Sequence, residues 1–354
     1  MSVNDKFLTS TLYKRDDEFE QTLRPQRFAD FPGQEDKKKQ LHICVEAAKK
    51  RGEALQHLLL SGPPGLGKTT LAHIIANEMG TNIKTSSGPV IEKPADLAGL
   101  LSGLNEGDIL FIDEIHRLSM NVEEYLYSAM EDFYIDIILD QGTGSRSIRL
   151  DLPRFTLVGA TTRQGSISAP MRSRFMMDIR LDYYPPEVLQ QIVLRSCRIL
   201  DIEIDPDSAL EIAKRSRGTP RIANKLVRWV RDYAQVVTNM EVSPAIVRDA
   251  LQMLKIDDDG LDEMDNRFLE VLVHRFNGGP VGIKTLAVAL GEEENTLAEV
   301  IEPFLIQSGF IVHTRQGRRA TSRAFERFGL AAPPGTGNST KGRGMDDLFN
   351  QGTV

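Results

Sequence analysis

A glycine-rich octapeptide at residues 62–69 limits the possible folds of this chain more than any other stretch. It reads GPPGLGKT and stands between an apolar run at residues 57–60 and a helical pattern that begins at Thr70. A glycine-rich turn that leads from a strand into a helix N-terminus brings several backbone N–H groups close together, as a bound phosphate chain requires. The octapeptide therefore predicts a nucleotide-binding α/β domain rather than an ordinary turn.

Two side chains of the octapeptide are suited to act on the nucleotide. We expect Lys68 to reach the β- and γ-phosphates and the Thr69 hydroxyl to bind Mg²⁺. The backbone around them would line the phosphate site, which gives the further nucleotide-binding positions Gly62, Gly65, Gly67 and Thr70. The predicted cofactors are therefore ATP and Mg²⁺.

A second motif turns the predicted phosphate site into a site of hydrolysis. The apolar run at residues 109–112 ends in two carboxylates, Asp113 and Glu114. Such a run is typical of a buried parallel strand, and ligands of α/β sheets lie at the carboxyl ends of the strands. We expect Asp113 to hold the metal ion or its water shell and Glu114 to polarise the attacking water. The alternative is a charged pair that merely ends a strand, and the phosphate loop nearby favours the catalytic interpretation.

Composition bounds the class of protein. At 354 residues the chain exceeds what one hydrophobic core usually covers, so length alone predicts two or three domains. No apolar run is long enough for a membrane span and the first 20 residues are polar and charged, so we expect a cytoplasmic protein without membrane contact. The only cysteines, Cys44 and Cys197, are expected in the core. A net charge of -7 argues against a surface that is basic throughout, but it allows a local basic patch, the densest being Arg315, Arg318, Arg319, Arg323 and Arg327.

Hydrophobic patterns divide the chain into four segments. Residues 1–184 alternate strand and helix signals, which predicts a mostly parallel sheet flanked by helices, interrupted by a β-hairpin whose turn lies at residues 140–144. Residues 185–256 show only helical spacing. Residues 257–332 combine three helical segments with a β-ribbon, as a winged helix does, and residues 333–354 have the composition of a disordered tail.

Beyond these patterns, the chain resembles the RuvB family, the AAA+ motors of bacterial Holliday-junction branch migration. The shared stretches are LRP at 23–25, GPPGLGKTT at 62–70, DEIHR at 113–117, GATTR at 159–163, GTPRIAN at 218–224 and GGPVG at 278–282. The last two, with the winged-helix ending, separate this family from AAA+ proteins in general. The resemblance implies an α/β P-loop AAA+ domain, a small helical AAA+ lid domain and a C-terminal winged-helix domain.

The resemblance also implies roles for residues outside the two nucleotide motifs. Leu23 and Arg24 would line the adenine pocket, with Tyr184 at the domain boundary, and an apolar or aromatic surface suits a purine. Thr161 or Thr162 would be the sensor that orients the attacking water, and Thr161 is the preferred candidate. An ordinary strand end is the alternative for these threonines.

Two arginines and one acidic segment complete the implied nucleotide site. Glu131, Asp132 and Phe133 match a family segment that closes on the nucleotide. Arg174 matches the arginine finger, which acts on the nucleotide of a neighbouring subunit and contributes about 10³ to 10⁵ in rate. Arg221 matches the second sensor, which would respond to the γ-phosphate. A surface ion pair is the alternative for either arginine. The implied assembly is a homo-oligomer, a hexameric ring.

DNA contact is expected at the basic ribbon. Arg315, Arg318 and Arg319 would bind the backbone phosphates of duplex and four-way junction DNA without sequence preference. His313 and Glu294 stand where the family often has arginine, which leaves the role of these two positions open.

Protein partners are expected at the predicted hairpin. Ile148 and Leu150 would dock a RuvA-like junction-binding protein if these side chains are exposed, whereas inward packing is the alternative. A RuvC-like junction resolvase is the second partner that the resemblance implies.

Other classes of protein share parts of this pattern. A clamp-loader subunit or another AAA+ DNA remodeller would have the same ATPase motifs, but a clamp loader would end in a helical collar. An unfoldase would carry an aromatic pore loop, whereas residues 86–107 contain no aromatic residue. A DNA-binding regulator without enzymatic activity would not need Lys68, Asp113, Glu114 and Arg174 together.

Overall fold

The computed structural model describes residues 21–138 and 147–333, and the chain divides into two compact units between Val247 and Arg248. The strands of the first unit are β1 (Leu58–Ser61), β2 (Ile83–Ser87), β3 (Ile109–Asp113), β4 (Tyr134–Ile138), β5 (Ser147–Asp151), β6 (Thr156–Thr161) and β7 (Met177–Arg180). Five of them form a parallel sheet in the order β2-β3-β6-β1-β7, and β4 pairs with β5 in a separate antiparallel ribbon. The predicted hairpin turn and the predicted tail from residue 334 onward lie outside the described residues.

Burial explains which strands could be predicted. Strands β1 and β6 are buried at every position, as the central strands of a parallel sheet are, and each reads as a short apolar or small-residue run. Strand β7 was not predicted. It lies at the edge of the sheet, where only Ile179 of its four residues is buried, so the sequence carries no apolar run there.

The helices around and after the sheet are α1 (Glu35–Arg51), α2 (Lys68–Met79), α3 (Pro94–Leu101), α4 (Met120–Glu131), α5 (Ala169–Arg174), α6 (Pro186–Ile199), α7 (Pro206–Lys214), α8 (Pro220–Val237) and α9 (Pro244–Met253), which contains the division between the units. Helices α6, α7 and α8 lie in the segment for which the sequence predicts only helical spacing. Each of these three helices begins at a proline. Proline is favoured at the first helical position because a backbone N–H there would have no hydrogen-bond partner within the helix, so its absence costs nothing. Within the described ranges, no helix has the length and apolar character needed to span a lipid bilayer.

The ribbon of β4 and β5 is partly packed and partly exposed. Ile135 faces Leu150 across the ribbon, and both pack against the hydrophobic core beside the sheet. Ile148 lies two residues from Leu150, so it falls on the same face of the ribbon, but it is 52% exposed. The apolar face of the ribbon therefore continues past the core into solvent at Ile148.

The second unit has the predicted winged-helix elements. They are α10 (Glu263–Glu270), a π-helical turn (Val271–Arg275), α11 (Ile283–Leu290), α12 (Glu294–Thr296), a second π-helical turn (Leu297–Ile301), α13 (Glu302–Gln307), β8 (Ile311–Thr314), β9 (Gly317–Ala320) and α14 (Ser322–Arg327). Strands β8 and β9 form an antiparallel ribbon, and the helices share one buried core with Phe310 and Ile311. Helix α14 was not predicted because it is one short segment in which only Ala324 and Phe325 are buried.

Ion pairs attach the acidic stretch at residues 257–259 to helix α14. Arg327 contacts both Asp257 and Asp259, and Arg323 lies 2.9 Å from an Asp259 carboxylate oxygen. The guanidinium of Arg323 also lies 4.5 Å from the centre of the Phe310 ring. The acidic stretch is therefore bound to the winged-helix unit, and two arginines of the dense basic cluster are neutralised within it.

Candidate active site

A cavity of about 340 Å³ lies at the carboxyl ends of the sheet strands, a volume within the usual range for small-molecule sites. Its walls include eleven of the predicted nucleotide-site residues: Leu23, Arg24, Gly65, Gly67, Lys68, Thr69, Thr70, Asp113, Glu114, Tyr184 and Arg221. The sequence missed other wall residues, among them Phe31, Ile192, Arg195 and Asn224. Phe31, Ile192 and Arg195 come from segments that carry no nucleotide motif, so no local signal marks them, whereas Asn224 ends the GTPRIAN stretch, in which only Arg221 was assigned a role.

The phosphate loop holds Lys68 inside the cavity wall. The Lys68 ammonium donates to the Gly62 and Pro63 carbonyl oxygens at 2.8 and 2.9 Å. Burial lowers the pKa of Lys68, and the nearby carboxylates of Asp113 and Glu114 oppose that shift. A positive charge therefore lies at the start of α2, where a helix N-terminus already favours an anion.

Glycine is required at two points of this loop by the backbone itself. Gly67 has a φ of +98°, and a Cβ atom there would lie 3.1 Å from the Phe31 ring. At Gly65, a Cβ atom would lie 2.7 Å from the Thr219 side chain. The Arg221 backbone N–H also donates to the Gly65 carbonyl oxygen at 3.3 Å. The close approach at Gly65 thus brings the start of α8 into direct contact with the phosphate loop.

Glu114 is held at the end of β3 by two side chains from neighbouring segments. Its backbone adopts a left-handed conformation (φ 48°), and its N–H donates to Asp113 Oδ1 at 2.9 Å. The Thr162 hydroxyl donates to Glu114 Oε2 at 3.1 Å, and His116 Nδ1 lies 3.2 Å from the same oxygen. The carboxylate therefore has a fixed orientation within the cavity.

The two candidate sensor threonines have different surroundings. Thr161, the preferred candidate from sequence, is completely buried; its hydroxyl lies 3.0 Å from His116 Nδ1 and accepts the Arg163 N–H at 3.0 Å. Thr162 lines the cavity and contacts Glu114 directly. His116 contacts both Thr161 and Glu114; burial lowers its pKa, and Glu114 opposes that shift. The DEIHR stretch, in which this histidine follows Glu114 by two positions, was the only sequence signal for it.

Apolar and aromatic side chains form another part of the cavity wall. Leu23 and Tyr184 are buried, and the Tyr184 hydroxyl donates to the Leu66 carbonyl oxygen at 3.1 Å. Burial raises the pKa of Tyr184, which keeps the phenol neutral. Arg195 donates to the Leu23 carbonyl oxygen at 2.6 Å and so fixes the segment that carries Leu23. These side chains give the cavity the chemistry that a purine base needs.

Arg174, Glu131, Asp132 and Phe133 do not line this cavity. The Arg174 guanidinium is paired with Glu131 at 2.9 Å, and Asp132 is exposed just after α4. Phe133 packs against Phe155, with the ring centres 6.0 Å apart. A residue that acts on a neighbouring subunit must lie away from its own cavity, so the predicted action in trans stays a prediction for this group.

The fit of Mg²⁺ can be judged from the donors that the site offers. Thr69 and Asp113 both line the cavity, and the described residues contain no group of three or more His, Cys, Asp or Glu side chains arranged to hold a metal. Mg²⁺ usually keeps several waters and binds through one or two protein oxygens together with substrate phosphates. One hydroxyl and one carboxylate beside a phosphate loop fit that pattern.

The predicted DNA-binding arginines also differ in their surroundings. Arg318 makes two contacts with the buried Glu302 carboxylate, at 2.5 and 3.0 Å, and His313 Nε2 lies 3.1 Å from the same carboxylate. Arg315 is exposed at the turn of the ribbon. Arg319 is half-buried, and its Nε atom has no hydrogen-bond partner among the described residues. The ribbon therefore presents Arg315 more openly than Arg318.

Comparison with known proteins identifies the family. Residues 23–181 match the Holliday junction DNA helicase RuvB P-loop domain, residues 184–257 the RuvB AAA lid domain, and residues 258–329 the RuvB C-terminal winged helix domain. A Salinibacter ruber protein named Holliday junction branch migration complex subunit RuvB is 59% identical over 338 residues, which is 96% of each chain. A protein of the same name from Chlorobaculum parvum is 58% identical over 88% of this chain and 91% of its own.

Solved structures give the same result. The Thermotoga maritima RuvB Holliday junction branch migration motor is 49% identical, with a TM-score of 0.80 over 88% of this chain and 100% of its own. A variant of the same Thermotoga maritima protein, in which alanine replaces one arginine, is also similar, with a TM-score of 0.79 over 88% of this chain and 99% of its own. The chain belongs to the RuvB family.

Proposed function

We propose that this protein is the ATP-driven motor that moves the branch point of Holliday junctions during homologous recombination and DNA repair. The observation that carries the proposal is the cavity in which a phosphate loop, an oriented Glu114 carboxylate and the lid residue Arg221 meet. The same chain continues into a winged-helix unit, a fold that places basic side chains on DNA. We assign residues 1–184 to the ATPase domain, 185–256 to the lid and 257–332 to the winged helix, in a cytoplasmic protein.

Each part of the cavity has a role in this proposal. Lys68 binds the β- and γ-phosphates, and Thr69 and Asp113 hold Mg²⁺, which when bound neutralises phosphate charge. Glu114, oriented by Thr162, positions and polarises the attacking water. Leu23 and Tyr184 bind the base. Because both threonines contact the Glu114–His116 group, we extend the sensor role from Thr161 to Thr162.

The contact between lid and phosphate loop supports a coupling of nucleotide state to movement. The Arg221 backbone lies against Gly65, and its side chain lines the cavity. A γ-phosphate beside Arg221 therefore attracts the start of α8, and its loss removes that attraction. Since α8 spans 18 residues, a small rotation at its start is carried across the lid.

A four-way junction assay tests the proposed function. With ATP, Mg²⁺ and the RuvA-like protein, the full-length chain should convert a synthetic mobile four-way junction into two duplexes, and it should leave the junction intact without ATP. A clamp loader would instead assemble a sliding clamp on primed DNA. If the protein assembles and hydrolyses ATP but fails to convert the junction, the motor proposal is wrong. The winged-helix unit, which stands in place of a helical collar, already disfavours the clamp loader.

The exposed part of the ribbon supports a partner-docking role. We propose that a RuvA-like protein docks on Ile148, while Leu150, which packs against the core, anchors the ribbon beneath it. The assembly proposed here is a hexameric ring with this partner on four-way DNA, joined by a RuvC-like resolvase.

Changing Ile148 to Asp should remove stimulation by the RuvA-like protein, because an exposed apolar anchor of this kind contributes roughly 2 kcal/mol or more to an interface. The assay is junction conversion titrated with the partner. Ile43→Asp is the matched control, since Ile43 is also an exposed isoleucine (67%) but lies on α1. Equal stimulation of the Ile148→Asp protein and the control would assign the ribbon to internal packing alone.

The wing, which is the ribbon of β8 and β9, supports sequence-independent binding of DNA through Arg315 and Arg319. Arg318 holds this ribbon in place through Glu302. Arg315→Ala should reduce the salt slope of duplex binding by about one unit without loss of stability. Arg318→Ala should lower the free energy of unfolding by on the order of 3 kcal/mol, because it leaves the Glu302 carboxylate buried without its main partner.

Thermal unfolding and salt titration of duplex binding separate these two effects. The double variant Arg318→Ala with Glu302→Gln should recover part of the lost stability, since it also removes the buried charge. An Arg318→Ala protein with normal stability and a salt slope lower by one unit would show that Arg318 binds phosphate, as the sequence alone predicts.

A further inference from the structure

The arginine at the end of α5 lies on an aromatic ring of α4. The Arg174 guanidinium carbon is 4.3 Å from the centre of the Tyr127 ring. Arg174 Nη1 also donates to the Pro170 carbonyl oxygen at 2.8 Å, and Nη2 to Glu131 at 2.9 Å. With only 19% of its side chain exposed, this arginine has a defined orientation before any neighbouring subunit is present.

The Tyr127 ring is itself fixed by a partly buried hydrogen-bond network. Its hydroxyl donates to Glu123 at 2.7 Å and lies 3.0 Å from the Ser168 hydroxyl, which donates to the same Glu123 oxygen at 2.8 Å. Ser168 is the N-cap of α5, and Glu123 is buried in α4. The network therefore connects the start of the helix that ends in Arg174 to the helix that carries the ring.

We propose that Tyr127 is a positioning residue for Arg174, setting the plane of the guanidinium that reaches the nucleotide of a neighbouring subunit. The inference rests on the proposed function, in which Arg174 acts in trans. A long arginine side chain samples many rotamers, and an aromatic face restricts it to one plane through a cation–π contact. Rates depend steeply on such placement, because misplacement by about 1 Å can cost 10²-fold.

The ring and the hydroxyl of Tyr127 make different contacts, so substitutions that remove one or the other test the proposal. The ring contacts Arg174, whereas the hydroxyl contacts Glu123 and Ser168. Tyr127→Leu, which removes the ring, should lower kcat for ATP roughly tenfold to thirtyfold, the range of a partly desolvated cation–π contact. Tyr127→Phe, which keeps the ring, should lose less. The KM for ATP should change little in both variants, because Tyr127 is not part of the cavity wall.

A tyrosine on the same helix provides the matched control. Tyr125 is also partly buried against the core cluster beside the sheet, and among the described residues it makes no cation–π contact. Tyr125→Leu should therefore retain more of the wild-type kcat than Tyr127→Leu. If Tyr127→Leu fails to assemble, Tyr127→Met removes the ring while filling a similar volume with a flexible side chain.

Mixed assemblies distinguish a positioning role from a general loss of structure. Lys68→Ala subunits lack the proposed phosphate-binding lysine but contain intact Tyr127 and Arg174, so they should restore hydrolysis to Tyr127→Leu subunits in mixed rings. The proposal is overturned if Tyr127→Leu subunits lose activity and co-assembled Lys68→Ala subunits do not restore it. It is also overturned if the Tyr127→Leu protein has the wild-type kcat. Arg174→Ala is measured in parallel. Full activity of the Arg174→Ala protein overturns the action in trans. If the Arg174→Ala protein is inactive while the Tyr127→Leu protein is fully active, only the role of Tyr127 is overturned.

Discussion

Replacing Glu114 by glutamine should stop ATP turnover while ATP still binds, whereas Lys68→Ala should weaken binding itself. Glutamine keeps the shape of the side chain and its contact with the Thr162 hydroxyl, but it is far less basic than a carboxylate and so polarises the attacking water poorly. Loss of such a general base lowers the rate by roughly 10² to 10⁴. In the proposed function Lys68 instead contacts the phosphates directly, so its removal should raise the dissociation constant for ATP.

Equilibrium binding of ATP and steady-state phosphate release measure the two effects separately. Glu124→Gln is the matched control, because Glu124 is an exposed glutamate on α4 and is not part of the cavity wall. Near-normal turnover by Glu114→Gln at saturating ATP would remove Glu114 from its role on the water. Unchanged ATP affinity in Lys68→Ala would place the phosphates elsewhere.

The convergence of the two motifs on one cavity was predictable because each motif is local in sequence. The phosphate loop and the acidic end of β3 each join a buried strand to polar residues within a few positions, and both line one cavity in the structure. The choice between Thr161 and Thr162 was not predictable, because adjacent residues at a strand end point in different directions. The last strand position directs Thr161 into the buried side, and the first turn position directs Thr162 to Glu114.

The wing shows why charge counts along a sequence overestimate the cations available to DNA. Arg318 is paired with Glu302, 16 positions earlier in the chain, and Arg327 with Asp257, 70 positions earlier. Neither carboxylate is close enough in sequence for a local pattern to connect it to its arginine. Three of the five arginines in the densest basic cluster, Arg318, Arg323 and Arg327, are thus already neutralised within the unit.

The position of Arg174 outside its own cavity leads to the second large expected effect. Arg174→Ala should lower ATP hydrolysis by about 10³ to 10⁵, because the proposed function assigns to Arg174 the cation that stabilises the transition state. Arg172→Ala is the matched control, since Arg172 lies on the same helix and contacts the Gln164 carbonyl oxygen of its own chain at 2.6 Å. Both variants should bind ATP with similar affinity.

Mixing Arg174→Ala with Lys68→Ala subunits tests the action in trans, because the fraction of wild-type hydrolysis that the mixture should recover can be calculated. In a head-to-tail ring, each site combines the phosphate loop of one subunit with the arginine of its neighbour. Random 1:1 mixing therefore makes about a quarter of the sites competent, since a site needs its loop from an Arg174→Ala subunit and its arginine from a Lys68→Ala subunit, each with a chance of about one half. If sites act independently, the mixture should recover about a quarter of wild-type hydrolysis, although each variant alone is nearly inactive. Recovery that stays at the level of the separate variants, in mixtures shown to co-assemble, would mean that Arg174 does not serve the neighbouring subunit and that its pairing with Glu131 is structural.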